Sequence, residues 1–89
     1  MIRRQIKFTK SFTKQFKALR ENQKSRFYER LELFQNNPYD RLLRDHALKG
    51  KYVGYRSLDV EGDLRALYRT DGGVIIIFAF IGTHSQLYK

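Results

Sequence analysis

The chain is predicted to adopt an α+β fold, and three observations carry the prediction. Two runs of apolar residues at helical spacing lie before the only proline, Pro38. Three β-rich runs lie after it, and two glycine-centred turn signals join those runs. The order is a short N-terminal strand, a two-helix hairpin and a three-stranded antiparallel meander. Together these form one mostly antiparallel sheet with the helices packed on it.

Ile2, Ile6 and Phe8 share a parity interrupted only by Arg4, which predicts the first strand. Thr9 or Ser11 caps a helix whose Phe12, Phe16 and Leu19 follow the i, i+4, i+7 spacing. The same spacing restarts at Phe27, Leu31 and Phe34, with Ser25 as the expected cap, so two short helices form a hairpin. Asn36, Asn37 and Pro38 end the second helix and open an irregular stretch to about Gly50. Strands are expected over residues 52–60, interrupted by Gly54, then 64–69 and 74–81, with turns at Glu61-Gly62-Asp63 and Asp71-Gly72-Gly73. The last run is continuously apolar and would aggregate if exposed, so it belongs inside the sheet. It is too short to span a bilayer.

The 89 residues are read as a single domain, without repeats, low-complexity tracts or linkers. No cysteine is present, so disulfides and zinc–thiolate sites are unavailable, in keeping with a reducing cytoplasm. No secretory signal follows Met1. The basic, acid-free first twenty residues have a transit-peptide composition, but they also carry the helix pattern that the core needs. Charge is uneven. Residues 1–30 hold ten Lys/Arg against Glu21 and Glu29, whereas residues 31–72 hold seven basic and seven acidic groups. A polyanionic partner, nucleic acid or acidic protein, is expected, with a merely solvated basic face as the alternative and a membrane surface disfavoured.

The chain has two histidines, His46 in the irregular stretch and His84 just past the last strand, and Asp63 occupies a turn. Lys49, Lys51, Arg56, Arg65 and Arg69 lie close to them in sequence. Two histidines, a carboxylate and several cations suit metal-free RNA cleavage: the attacking ribose 2′-hydroxyl needs a base, the leaving 5′ oxygen an acid, and the transition state gathers negative charge on phosphate. Each residue also has a plainer reading. A loop histidine is commonly a surface or capping group, Asp63 after Gly62 suits a turn, and the arginines can pair with Asp59 or Glu61. A metal site from His46, His84 and a carboxylate lacks any diagnostic spacing, so no metal or other cofactor is expected.

Asp45-His46, Leu48, Gly50, Gly54-Tyr55-Arg56, Val60-Glu61, Asp63 and Tyr68 together form an ordered motif set, continued by Gly82-Thr83-His84, Leu87 and Tyr88. With Lys10-Ser11-Phe12 ahead of a basic helix, this set resembles the YafQ-like branch of the RelE/ParE toxin superfamily over nearly the whole chain. The resemblance implies a RelE-like fold and the toxin of a type II toxin–antitoxin pair: a ribosome-dependent mRNA endoribonuclease of the cytoplasm, silenced by a cognate antitoxin. By position it makes His46, Asp63 and His84 catalytic. It also matches Tyr88 to a C-terminal aromatic; on this reading Lys49, Lys51, Arg56 and Arg65 are expected to hold the scissile phosphate and Tyr88 to stack on a base. Two positions depart from that branch: Asp59 stands where another functional histidine is typical, and Leu64 where a tryptophan is. The run from Gly62 to Arg69 instead resembles the wider RelE group, whose arginines do more of the phosphate work. Two alternatives stay open, a ParE-like toxin that blocks DNA gyrase by protein contact and a degenerate homologue that only binds an antitoxin.

Overall fold

The computed structural model describes residues 4–89. In chain order its elements are β1 (Gln5–Phe8), α1 (Lys10–Lys17), α2 (Glu21–Asn36), β2 (His46–Ala47), β3 (Arg56–Glu61), β4 (Leu64–Asp71), β5 (Ile75–Thr83) and α3 (His84–Leu87), with 3-10 turns at Arg41–Leu43 and Gly50–Tyr52. One five-stranded sheet has the order β1-β5-β4-β3-β2. All neighbours are antiparallel except β1, which runs parallel to β5 from Gln5 opposite Ile75 to Phe8 opposite Phe78. The apolar β5 is thus paired along both edges, as its sequence demands. Among the described residues no helix is long and apolar enough to cross a membrane.

Thr9, not Ser11, caps α1: its Oγ1 accepts the Phe12 amide at 3.1 Å and donates to the Ala79 carbonyl at 2.8 Å, fastening the helix to β5. The second helix starts at Glu21, ahead of the expected Ser25 cap. There Gln23 Oε1 accepts the Arg20 amide at 3.0 Å, a side-chain bond that apolar spacing does not reveal. Phe12, Phe27 and Phe34 enter the core as their spacing predicts, against Leu58, Ala66, Tyr68, Ile76, Phe78 and Ile81 of the sheet. The Ile2 end of the first strand lies outside the described residues.

Several strand boundaries differ from expectation, and β4 runs on to Asp71. The strand predicted from residue 52 begins only at Arg56, because Val53 and Tyr55 donate to the carbonyls of Gly50 and Tyr52 and close turns there. The irregular stretch contains β2, a two-residue edge strand too short to carry a period. The final strand runs on to Thr83 and passes directly into α3.

A β-bulge decides which side chains share a face. Leu67 pairs with Phe80 but Tyr68 pairs with Phe78, so Ala79 is the extra residue on β5. Without it Phe78 and Phe80 would share a face. With it, Phe78 and Ile81 join the helix-side core, while Phe80 joins Tyr52, Leu67 and Leu87 in a second cluster on the opposite side.

Candidate functional site

The sheet face opposite α1 and α2 carries the candidate chemistry. Directly cross-strand residues project to the same side of a sheet. One row of that face reads Asp59, Arg65, Gly82 across β3, β4 and β5; another reads His46, Ser57, Leu67, Phe80 from the β2 edge inward.

At one end of the face the β3–β4 turn meets the exit of β5. The turn is tight because Gly62 takes φ +49°, which places Asp63 at the head of β4. Asp63 Oδ2 accepts the backbone N–H of His84 at 3.3 Å, and Arg65 Nε stands 3.9 Å from the other carboxylate oxygen. His84 opens α3 under a capping box. Thr83 Oγ1 accepts the Gln86 amide at 3.3 Å, and Gln86 Oε1 accepts the Thr83 amide at 2.8 Å. Gly82 allows this helix to lie close, because a Cβ there would come within 3.1 Å of Gln86 Oε1. One turn on, the exposed His84 ring stacks on Tyr88 with centroids 4.7 Å apart.

The C-terminal turn is anchored from the chain before β3. The buried Tyr52 hydroxyl donates to the Leu87 carbonyl at 2.6 Å and Lys51 Nζ donates to the same oxygen at 3.0 Å, while the Tyr52 ring meets Tyr88 edge-on at 5.1 Å. Lys51 therefore reaches the site as a clamp on α3. Lys49, its neighbour but one, is exposed at the start of the same 3-10 turn.

His46 lies at the far edge of this face. Its Nδ1 is 2.8 Å from the Arg44 carbonyl, which can only accept, so Nδ1 carries the proton and Nε2 keeps its lone pair in the neutral ring. Three strand spacings of about 4.8 Å put the His46 strand roughly 14 Å from the strand that leads into His84. A file of charged groups joins the two histidines. Arg44 Nε lies 3.5 Å from Asp59 Oδ2, Asp59 Oδ1 lies 4.0 Å from Arg65 Nη1, and Arg65 then meets Asp63. Arg44 gave no signal in the sequence. Asp59 stood out as a departure from a resembled family and as an expected partner of the strand arginines, of which Arg65 faces it.

Arg56 is separated from this group. It pairs with Tyr68 across the strands and so belongs to the helix side. There Asp45 accepts Arg56 Nε at 2.9 Å and the Tyr68 hydroxyl at 2.6 Å. The bond to Asp45 holds the guanidinium charged; burial, then Asp45, pushes the Tyr68 hydroxyl well above the ordinary phenol range. These groups border a cleft of about 480 Å³ that Arg4, Phe34 and Tyr39 also line. Leu64 is buried among the helix-side apolar residues. Among the described residues no three His, Cys, Asp or Glu side chains gather as they would around a metal ion.

The family described as "Bacterial toxin of type II toxin-antitoxin system, YafQ" matches residues 4–89. The mRNA interferase toxin YafQ of Escherichia coli K12 is 31% identical over 93 residues, covering 99% of both chains. Among solved structures, YafQ from E. coli BL21(DE3) superposes with a TM-score of 0.80 at 27% identity, over 97% of this chain and 99% of the other. A chain of the E. coli DinJ–YafQ toxin–antitoxin complex gives a TM-score of 0.79 at 27% identity, over 99% and 100%.

Proposed function

The chain belongs to the YafQ family of bacterial type II toxin–antitoxin toxins, and from that premise we propose that it is a ribosome-dependent mRNA endoribonuclease. It works in the cytoplasm without a metal ion, and a cognate antitoxin silences it. The observation that carries this reading is the seating of Asp63, Arg65, His84 and Tyr88 together on one sheet face, held from the strand turn and the capped C-terminal helix.

Acid and base acting on one phosphate must each come within about 2.6–3.2 Å of an oxygen attached to it. The spacing of the histidines favours Asp63 over His46 as the partner of His84. Asp63 takes the proton of the ribose 2′-hydroxyl as that oxygen bonds to phosphorus; the bond from phosphorus to the 5′ oxygen breaks, and His84 protonates the leaving oxygen. The products are a 2′,3′-cyclic phosphate and a 5′-hydroxyl. Arg65 stabilises the charge on the phosphoryl oxygens, Tyr88 stacks on a neighbouring base, and His46 with Lys49 and Lys51 contacts RNA beside the reacting step. The exposed Lys10, Lys14 and Lys17 of α1 grip ribosomal RNA.

Primer extension on mRNA after brief induction tests the reading. Discrete cuts whose downstream fragments carry 5′-hydroxyls are expected. Fragments carrying 5′-phosphates would refute the metal-free step, and growth arrest without cuts would refute the nuclease and favour a toxin acting by protein contact.

A further inference from the structure

Among the described residues three buried side-chain atoms lack a hydrogen-bond partner: Ser57 Oγ, Asp59 Oδ1 and Arg65 Nε. All three belong to the face of β3 and β4 opposite α1 and α2. Buried polar atoms are nearly always paired, and each orphan costs about 1–3 kcal/mol. Their clustering marks a place where the RNA-free protein is not at its electrostatic optimum.

For Asp59 and Arg65 the cause is one carboxylate facing two guanidiniums without closing on either. Asp59 approaches Arg65 only to 4.0 Å and Arg44 only to 3.5 Å. Arg65 in turn stays 3.9 Å from Asp63. Arg44 also carries backbone strain: at φ +44° it is the one non-glycine residue with positive φ among the described residues. That conformation turns its side chain toward Asp59 while its carbonyl holds His46. A carboxylate fixed to a strand cannot move to satisfy both arginines. A tetrahedral phosphate brought in by RNA can, because it offers oxygens in several directions and arginine binds it through short charge-assisted bonds.

We infer that Asp59 is a resident stand-in for RNA phosphate, a positioning residue that keeps Arg44 and Arg65 over the site face until the substrate takes them. Arg44 then becomes a second arginine on substrate phosphate. This rests on the endoribonuclease reading for its substrate. Asp59 works against RNA binding while keeping both cations aimed, so its neutralisation raises affinity.

The test is binding to a labelled single-stranded oligoribonucleotide blocked by 2′-O-methyl groups, measured over a range of salt. Asp59→Asn should bind several-fold tighter. Its salt dependence should steepen by up to about 0.7 in log–log slope for each arginine released. Arg44→Gln, at a side chain that is 76% exposed, should bind more weakly and flatten the slope by about the same amount. On programmed ribosomes Asp59→Asn should lower KM without a matching rise in kcat, a split that mere loss of structure would not give. Unchanged or weaker binding by folded Asp59→Asn, or an unchanged slope in Arg44→Gln, would overturn the inference. Wild-type protein that leaves mRNA uncut would overturn the nuclease reading instead, and the binding comparison would still decide the role of Asp59.

Discussion

Tyr52→Phe isolates a single bond that mounts the C-terminal turn carrying His84 and Tyr88. The ring keeps its contacts with Phe80 and Tyr88, and only the hydroxyl that donates to the Leu87 carbonyl at 2.6 Å is lost. A buried neutral hydrogen bond contributes about 0.5–1.5 kcal/mol. Lys51 Nζ remains on the same carbonyl at 3.0 Å, so that oxygen is not orphaned and the loss should be about 1 kcal/mol, or roughly fivefold in the docked population. The Tyr88 amide donates to the His84 carbonyl at 2.9 Å and reports whether α3 is closed. Hydrogen exchange at that amide should quicken roughly fivefold, and cleavage on ribosomes should fall by no more than the same factor. Removing Lys51 as well (Lys51→Met with Tyr52→Phe) strips both donors, and the loss should then exceed the sum of the single changes. Unchanged exchange and unchanged cleavage in Tyr52→Phe would refute the claim that this hydroxyl holds the C-terminal turn in place.

Tyr68→Phe should lower stability by about 1.5–3 kcal/mol, because the lost bond runs to an ionised, mostly buried carboxylate, Asp45. The folded-state pKa of Tyr68 is raised, by burial first and Asp45 second, so its contribution is complete below the ordinary phenol pKa of about 10 and fades as pH climbs above it. Urea denaturation from neutral to strongly alkaline pH should therefore show a steeper alkaline decline in wild type than in Tyr68→Phe; parallel declines would contradict the assignment. Thr83→Ala removes the cap oxygen of α3 and should cost about 1 kcal/mol in local or global stability. Cleavage should drop while RNA binding holds, a contrast that fails if Thr83 serves only as a packing residue.

The parts legible in the sequence were those with a strong period or a strong turn signal. Phe12 and Phe16, then Phe27, Leu31 and Phe34, gave both helices because one face had to be apolar. The run from Val74 gave an internal strand because nothing so apolar can line an edge. What stayed hidden depends on contacts between distant residues or on very short elements. The parallel pairing of β1 with β5 joins the two ends of the chain. The two-residue β2 and the four-residue α3 are too brief to show periodicity. Facing was hidden too. Arg56 and Arg65 read alike as basic strand residues, yet the register sends one to the Asp45 cleft and the other to Asp63. Arg44 was invisible because its importance lies in a left-handed backbone and a carboxylate fifteen residues away in sequence. Asp63 and His84 were legible as polar groups at the ends of strands, where a rigid sheet displays them.

The most direct test compares wild type with His84→Ala by primer extension on mRNA from induced cells, beside thermal unfolding and antitoxin binding of the purified proteins. His84 is exposed and its ring stacks on Tyr88 at the surface, so the variant should fold and bind antitoxin as wild type does. Wild type should produce discrete cuts, and the variant should lose about 10²–10⁴-fold in cleavage, the scale of one acid–base group. Undiminished cutting by folded His84→Ala would contradict the account.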